Sequence, residues 1–186
     1  MLAGFTRPWF IAGGWAIDLY LGRITRAHKD IEIAILREDQ RAIRERLGGW
    51  EFSKVLPTRG RMEPWHEDEW LETPVHEIHA HRESGDPSAL EILLDESSAD
   101  QWTFRRNPEI TRPLSTIGMR SDGGVPFLSP EIVLLYKATS SGIQEHDQAD
   151  FAHARESLGG ERRRWLRYAI ERCRPGHPWL ADLEEG

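Results

Sequence analysis

Two acidic residues, Asp30 and Glu32, stand two positions apart in a segment that alternates between charged and apolar side chains. This segment, residues 30–36, is predicted to be a β-strand, in which alternate side chains project to the same face. The two carboxylates would then share one face, with their Cα atoms about 6–7 Å apart. Because hard divalent cations bind carboxylate oxygens, we expect this pair to hold metal ions.

A pair of glycines, Gly13 and Gly14, precedes the acidic pair. Residues 8–12 are predicted to be a short buried strand, and residues 15–21 a helix that ends at Gly22. Glycine lets the backbone approach a phosphate closely, and the free amides at a helix N-terminus donate hydrogen bonds to anions. This strand, turn and helix are therefore expected to bring phosphate groups beside the metal ions.

The rest of the pattern predicts further strands and then a helical end. Strands are expected at residues 51–56, 75–82, 90–94 and, more weakly, 102–106, and helices at 38–47, 132–138, 147–158 and 161–173. Ser129 and Pro130 resemble the N-cap and first residue of a helix. We expect a mixed α/β fold: an α/β domain at residues 1–125 with a mixed β-sheet flanked by helices, followed by a C-terminal helical region at residues 126–186.

Composition excludes several classes of protein. The 186 residues carry a net charge of −7, which argues against a protein that binds nucleic acid by neutralising phosphates. Cys173 is the only cysteine, so the chain can form no internal disulfide. The N-terminal residues lack the pattern of a signal peptide, and no run approaches the about 18 apolar residues of a membrane span. We therefore expect a cytoplasmic protein without a membrane partner.

Residues 9–37 resemble the polymerase-β-type nucleotidyltransferase superfamily, in particular the branch of aminoglycoside 2″-adenylyltransferases and lincosamide nucleotidyltransferases. Members of that branch carry Gly-Gly-Trp-Ala-hydrophobic-Asp and then Thr-Arg-x-His-x-Asp-hydrophobic-Asp/Glu. The positions that match are Gly13, Gly14, Trp15, Ala16, Asp18, Thr25, Arg26, His28, Asp30 and Glu32. A weaker similarity continues through residues 104–108 and 126–151, so the resemblance covers most of the chain.

The resemblance implies an enzyme that transfers a nucleoside monophosphate, AMP from ATP, to a hydroxyl group of a small-molecule acceptor. The acceptor would be an aminoglycoside-like or lincosamide-like antibiotic. Two Mg²⁺ ions about 3.5–4 Å apart would stabilise the attacking and leaving oxygens together. Asp30 and Glu32 would hold these ions with a third catalytic carboxylate from a neighbouring strand. We choose Glu91 for that position, and Asp95 and Glu77 are the alternatives.

The resemblance also implies residues that contact the nucleotide: Gly13, Gly14, Arg26, His28 and Lys137. For Arg26 and His28 the other role that the resemblance suggests is to organise the loop before Asp30, and for His28 the alternative is only a hydrogen bond to the loop backbone. Lys137 lies inside an apolar helix, where a lysine must extend to solvent or meet an anion. Asp147 and Asp150 share a helix face, and Asp147 would help to activate the acceptor as a general base, with helix capping as the alternative.

Two further groups of residues could bind a ligand, one a metal ion and the other a cationic acceptor. Glu77, His79 and His81 would share one side of a strand, and such ligands suit zinc. Because three ligands on one straight strand do not easily converge on one ion, we predict a polar strand face or a cleft lining instead. Trp65 and Trp70 flank an acid-rich loop that could receive a cationic acceptor through charge and cation–π contacts.

Two other functional classes remain open from the sequence. One is a toxin-like nucleotidyltransferase that modifies a tRNA or a protein, which the missing basic patch disfavours. The other is a non-catalytic relative that binds nucleotide and regulates a partner.

Overall fold

The computed structural model describes residues 1–57 and 60–184 of the chain. The strands are β1 (Trp9–Ile11), β2 (Glu32–Leu36), β3 (Glu51–Leu56), β4 (Arg61–Pro64), β5 (Glu77–His81), β6 (Ala89–Ser98), β7 (Gln101–Thr103), β8 (Thr111–Pro113), β9 (Gly118–Arg120) and β10 (Pro126–Leu128). The helices are α1 (Gly13–Leu21), α2 (Gln40–Arg46), α3 (Pro130–Ala138), α4 (Glu145–Arg155), α5 (Gly160–Cys173) and α6 (Trp179–Asp182). Among the described residues, no helix has both the length and the apolar character needed to cross a lipid bilayer.

The strands form one mixed sheet in the order β4-β3-β5-β6-β2-β1-β10-β9, and β7 and β8 continue from the end of β6. Strand β2 is parallel to β6 and antiparallel to β1. A parallel pair requires a long crossover connection, which here consists of α2 and strands β3 to β5. The strand that carries Glu32 therefore lies near the centre of the sheet, with neighbours on both sides.

Alternation along β2 separates two hydrophobic cores, one on each face of the sheet. Ile33 and Ile35 belong to a core that includes Ile43 and Leu47, at the end of α2. Ala34 belongs to the other core, which is built with α1, α3, α4 and α5. Side chains two residues apart on a strand share a face. Glu32 therefore projects to the side of the sheet that these four helices cover.

Helix α1 begins directly after β1, at a glycine in the left-handed region. Gly13 has a φ of 58°, and the helix ends at Gly22, which has a φ of 66° and donates its N–H to the carbonyl of Asp18. An L-residue in this region would cost about 1–2 kcal/mol, whereas glycine adopts it freely. The N–H of Ala12 donates to the carbonyl of Glu32 at 2.8 Å, which attaches the turn to β2.

Helix α3 lies at the centre of the helical half and packs against α1, α4 and α5. Pro130 occupies its first position, where a missing N–H is tolerated. Ser129 precedes the helix as predicted, but its side chain does not cap it. The Ser129 hydroxyl instead donates to the carbonyl of Thr116 at 3.2 Å, because the turn before β9 lies within its reach.

The predicted fold class, a mixed sheet flanked by helices with a helical end, is confirmed, but two details differ from the prediction. Asp30 lies before β2 and not within it, because β1 ends with Ile11 opposite Ile33 and leaves no partner on that side for Asp30. Residues 126–128, at the start of the predicted helical region, form β10 beside β1. The division of the chain into two domains stays a prediction.

Candidate functional site

Four carboxylates gather around the beginning of β2. Glu32 lies directly opposite Glu91 of β6 in the parallel register. Glu77 of β5 lies opposite Leu93, which is two residues after Glu91 on β6. Because side chains alternate along a strand, the three glutamates project from the same face of the sheet. Asp30, two residues before Glu32, lines the same cavity as Glu32 and Glu77.

Burial and the closeness of these acids raise the pKa values of two of them, Glu32 and Glu91. Burial raises the pKa of Glu32 above its ordinary value, and the charge of Glu91 raises it further while Lys137 opposes the change. Burial also raises the pKa of Glu91, an effect that His79 opposes and that other nearby acids strengthen. Like charges held this closely are destabilising unless cations accompany them. A set of carboxylate oxygens with this property fits a divalent cation such as Mg²⁺.

The three candidates for the third carboxylate differ in what they contact. Glu77 lines the same cavity as Asp30, whereas Glu91 lines an adjoining cavity to which Asp30 also belongs. Asp95 is buried and accepts a hydrogen bond of 2.7 Å from the hydroxyl of Tyr136. Asp95 lines the same cavity as Asp30 as well, but Glu91 and Glu77, and not Asp95, are named among the charges that act on Glu32.

A histidine joins the two glutamates. Nε2 of His79 lies 2.8 Å from Oε1 of Glu77, and ligand atoms of Glu77, His79 and Glu91 all lie within 4.8 Å of one another. They converge because Glu91 comes from β6 and not from the strand that carries the other two. His81, the third residue of the predicted polar face, instead pairs with Glu51 at 2.9 Å.

The two glycines lie against the charged side chains of the site. A Cβ atom at Gly13 would lie 1.5 Å from Oε2 of Glu32. At Gly14 it would lie 2.2 Å from Nη2 of Arg26 and 2.6 Å from the imidazole of His28. Atoms cannot approach so closely, so both positions require glycine for these side chains to lie where they do. The glycine turn is therefore the point where the acids and the cations of the site meet.

Asp18 of α1 orders the loop between α1 and β2. Its Oδ1 accepts hydrogen bonds from the backbone N–H and the hydroxyl of Thr25, at 3.0 and 2.6 Å. Its Oδ2 accepts a hydrogen bond of 2.5 Å from Nε2 of His28, and the ring centroid of His28 lies 4.5 Å from that of Trp15. These contacts support the loop-organising role for His28.

A charge network connects this loop to α3 and α4. Arg26 donates two hydrogen bonds of 2.9 Å to Asp150. Lys137 lies 2.9 Å from Asp150 and 2.7 Å from Asp147. Burial alone would favour the neutral acid, but the hydrogen bonds from Arg26 and the charge of Lys137 hold the pKa of Asp150 below its ordinary value. The network fixes the C-terminal helices against the glycine turn.

Both carboxylate oxygens of Asp147 have partners. Oδ1 contacts Lys137, and Oδ2 accepts a hydrogen bond of 3.2 Å from the backbone N–H of Gln144 in a capping box at the start of α4. Helix capping, the alternative for Asp147, is therefore observed. Acting as a general base would also require Lys137 to move, so that role stays a prediction.

The main cavity has a volume of about 580 Å³. The residues of the predicted site that line it are Gly13, Gly14, Arg26, His28, Asp30, Glu32, Lys137 and Asp147. Arg105, to which the sequence motifs assign no role, also lines the cavity, and its guanidinium lies 5.3 Å over the ring of Tyr136. An arginine in an irregular segment carries no periodic signal, so only the folded chain reveals its position.

The acid-rich loop after β4 does not take part in the main cavity. Its two tryptophans contact arginines of the chain itself: the guanidinium of Arg44 lies 4.8 Å over Trp65, and that of Arg41 lies 5.6 Å over Trp70. Trp65 is buried and donates its indole N–H to the carbonyl of Glu69 at 3.0 Å. The expectation that these rings receive an acceptor therefore gains no support from the structure.

Asp95→Asn is expected to stabilise the protein at neutral pH. Burial raises the pKa of Asp95 from 3.8 to about 6, although the hydrogen bond from Tyr136 opposes this. The folded state therefore prefers the protonated acid, and stability falls as the pH rises from about 4 to about 6. A difference of about 2 pKa units corresponds to a loss of about 3 kcal/mol.

Asparagine keeps an acceptor for Tyr136 but carries no charge. The variant should gain up to about 3 kcal/mol in the free energy of unfolding at about pH 7 and close to nothing at about pH 4. Urea unfolding of both proteins at the two pH values measures this gain. The same gain at both values would contradict the assignment of a buried, titrating carboxyl group to Asp95.

Comparison with known proteins finds relatives in the branch that the sequence motifs resemble. Residues 1–154 match the family model of the aminoglycoside-2″-adenylyltransferases. Over 45 residues the chain is 51% identical to a 2″-aminoglycoside nucleotidyltransferase of Escherichia coli. These residues make up 23% of this chain and 25% of that protein. A 2″-aminoglycoside nucleotidyltransferase of Klebsiella pneumoniae matches to the same extent. The matched stretch thus spans about a quarter of the length of these curated relatives.

Solved structures show the same fold. ANT(2″)-Ia in complex with adenylyl-2″-tobramycin superposes with a TM-score of 0.59 at 22% identity, covering 92% of this chain and 91% of that one. The lincomycin-bound lincosamide antibiotic adenylyltransferase LnuA superposes with a TM-score of 0.57 at 19% identity, covering 84% and 91%. The family model matches well over half of the chain, including the segments that carry the glycine turn and the acidic residues described above. This chain therefore belongs to the aminoglycoside-2″-adenylyltransferase family, a family of antibiotic nucleotidyltransferases.

Proposed function

We propose that the chain transfers AMP from ATP, in a Mg²⁺-dependent reaction, to a hydroxyl group of a small-molecule acceptor of the aminoglycoside or lincosamide kind. The observation that carries the proposal is the contact of Gly13 with the carboxylate of Glu32, which joins the phosphate-binding turn to the metal ligands. Membership of the family supports the type of reaction. A structural neighbour bound to adenylyl-2″-tobramycin supports the transfer of an adenylyl group.

Asp30, Glu32 and Glu91 are proposed to hold two Mg²⁺ ions. When bound, such ions stabilise the attacking and the leaving oxygen of a phosphoryl displacement together. Glu32 is suited to this role because Gly13 leaves room for its carboxylate beside the turn. Asp30 is exposed, so its carboxylate can turn towards an ion without breaking a contact of the fold. Glu77 contributes a fourth carboxylate to the same cavity.

Gly13, Gly14, Arg26, His28 and Lys137 are proposed to bind the triphosphate. Backbone amides at the start of α1 donate to phosphate oxygens, which the missing Cβ atoms leave accessible. Arg26 and Lys137 supply positive charge, and Asp150 fixes the position of both. The cavity of about 580 Å³ has the size of a small-molecule site. Because these cations converge from the loop and from α3, the phosphate chain would lie between the two halves of the protein.

The adjoining cavity, of about 540 Å³, is proposed to receive the acceptor. Its lining includes the carboxylates of Asp30, Asp86 and Glu91 and a single lysine, Lys29. An excess of acidic groups favours a cationic acceptor, such as a compound with several amino groups. Because Asp30 lines both cavities, an acceptor hydroxyl held here could reach a nucleotide in the main cavity. Asp147 is proposed to assist in activating that hydroxyl.

The two alternative functions have less support. A toxin-like enzyme that modifies tRNA would be expected to carry a basic surface, whereas the net charge of this chain is −7. A regulator that only binds nucleotide would not need an acidic group of four carboxylates beside the glycine turn. A cytoplasmic location, expected from the single cysteine, stays a prediction.

Release of pyrophosphate tests the proposed reaction. The purified protein would be incubated with Mg²⁺, each of the four NTPs and a panel of aminoglycosides and lincosamides, and adenylylated products would be detected by mass spectrometry. We expect release only with ATP, Mg²⁺ and an acceptor together. Binding of Mg²⁺-ATP without transfer to any acceptor would favour the regulatory alternative, and growth arrest on expression would favour the toxin-like one.

Glu91→Gln and Glu77→Gln test the choice of the third carboxylate. The charge of Glu91 acts on the pKa of Glu32 more strongly than that of Glu77 does, which is why Glu91 remains our choice. We expect Glu91→Gln to lower kcat/KM about a hundredfold, a loss of about 3 kcal/mol of transition-state stabilisation. Its affinity for Mn²⁺, measured by electron paramagnetic resonance, should fall as well. If Glu77→Gln lost more kcat/KM and more Mn²⁺ affinity than Glu91→Gln, Glu77 would be the third metal carboxylate.

A further inference from the structure

Arg105 and Arg106 both line the main cavity, and neither forms an ion pair with an acid among the described residues. Arg105 lies in the loop after β7, and its guanidinium carbon is 5.3 Å from the ring centroid of Tyr136. Over residues 1–57 and 60–184 it makes neither a hydrogen bond nor an ion pair. Arg26 and Lys137, the cations already given to the triphosphate, are both paired with Asp150. Arg105 therefore keeps all its donors for a ligand.

The next residue in the same loop, Arg106, is bonded to the fold and serves as a comparison. Its Nη1 donates to the carbonyl of Tyr136 at 2.6 Å and to the hydroxyl of Thr139 at 2.8 Å. Basic side chains commonly bond to the last carbonyls of a helix in this way, here at the end of α3. Arg106 therefore stabilises the fold, whereas Arg105 makes no such bond.

The loop holds Arg105 in a fixed position. Phe104 and Ile110 are buried at either end of it, and the N–H of Phe104 donates to the carbonyl of Ile110 at 2.9 Å. The N–H of Asn107 donates to the carbonyl of Phe104 at 3.0 Å and closes a turn around the two arginines. A cation held by a rigid backbone and an aromatic face loses little freedom when it binds an anion.

Asp95 is an acid that acts on Arg105 without pairing with it. Asp95 acts electrostatically with it, but the carboxyl group of Asp95 accepts its hydrogen bond from Tyr136. Asp95 and Arg105 thus act on each other through space, with no hydrogen bond or ion pair between them. A partly buried guanidinium without a full counter-charge is stabilised by an anionic ligand.

We propose that Arg105 binds the pyrophosphate end of the nucleoside triphosphate, an inference that rests on the proposed function. The α-phosphate must lie at the metal ions, where the acceptor attacks. The positive charge that acts on Glu32 is that of Lys137, whereas Arg105 acts on Asp95 and Tyr136. Arg105 lines the same cavity as Asp30 and Glu32 but is not named among the charges that act on Glu32, so the outer phosphates would extend from the metal ions towards it. Its planar fork of donors matches the oxygens of a phosphate group.

Isothermal titration of wild-type protein and of Arg105→Gln with three probes tests this. The probes are Mg²⁺-pyrophosphate, Mg²⁺-ATP and AMP. We expect Arg105→Gln to bind pyrophosphate and ATP about 10- to 100-fold more weakly, the effect of losing charge-assisted hydrogen bonds, and to bind AMP as the wild type does. Arg105→Lys, which keeps the charge but not the fork, should lie in between. Arg164→Gln, an exposed arginine of α5, is the matched control and should bind all three probes normally.

The possible results separate this inference from the proposed function. Unchanged pyrophosphate affinity in Arg105→Gln, with normal ATP binding by the wild type, would overturn the role of Arg105 alone. Equal losses for AMP and pyrophosphate would also overturn it, because the arginine would then serve the nucleoside or the whole site. A wild-type protein that binds neither ATP nor pyrophosphate would contradict both. Thermal unfolding shows whether Arg105→Gln folds, and Arg105→Lys replaces it in the comparison if it does not.

Discussion

Asp30→Asn should abolish nucleotide transfer and leave the protein folded. Asp30 is exposed, lies before β2 and makes no hydrogen bond or ion pair with the described residues, so the fold does not depend on its charge. Its carboxylate nevertheless lines both cavities, at the place where nucleotide and acceptor would meet. Metal ions contribute several kcal/mol to charge stabilisation in the transition state. Loss of one of their ligands should therefore lower kcat/KM about a thousandfold.

The control is a variant that removes an aspartate charge from a position outside the site. Asp122→Asn serves this purpose, because Asp122 is an exposed aspartate in the turn between β9 and β10 and lines neither cavity. Both variants should unfold at the wild-type temperature, and Asp122→Asn should keep wild-type activity. If Asp30→Asn transferred nucleotides at the wild-type rate, the metal site proposed here would be wrong.

The parts of the site that lie close together in sequence could be predicted from the sequence. Gly13 and Gly14 are followed by Asp30 and Glu32 within one strand, helix and strand unit. The antiparallel pairing of β1 with β2 and the hydrogen bond from Ala12 to Glu32 bring its two ends together. The sequence therefore predicted the glycine turn and the first two carboxylates.

Contacts between distant segments could not be predicted in the same way. Arg26 and Asp150 are 124 positions apart, and nothing in the spacing of either residue identifies the other as its partner. The choice between Glu77 and Glu91 depends on the register of β2, β5 and β6, which requires the whole sheet. The grouping of Glu77 and His79 with Glu91 depends on the same register, since Glu91 comes from a second strand.

The shortest strands are also hard to predict from the sequence. Strands β8, β9 and β10 have three residues each, too few for a period of two to stand out from its surroundings. Proline ends β8 and begins β10, which weakens the strand signal further. Their assignment as strands depends on backbone pairing with neighbouring strands, β8 with β7, and β10 with β1 and β9, which the local sequence does not reveal.

Gly13→Ala should remove activity because the new methyl group would displace the carboxylate of Glu32. The new methyl group would lie 1.5 Å from Oε2 of Glu32, so the carboxylate must leave its position beside the turn. The backbone at Gly13, with a φ of 58°, also disfavours alanine by about 1–2 kcal/mol. We expect kcat/KM to fall as far as it does in Glu32→Ala, about a hundredfold or more, because both changes remove the same metal ligand.

Gly22→Ala separates the collision from the strain. Gly22 ends the same helix with a φ of 66°, but no atom lies within 4 Å of a Cβ placed there. It should lose a similar about 1–2 kcal/mol of stability and keep its activity. The double variant Gly13→Ala, Glu32→Ala should be no less active than either single one, since the second change removes a group already displaced. Additive losses in kcat/KM would instead mean that Gly13 acts on the phosphates independently of Glu32, and the link between turn and metal ligand would fail.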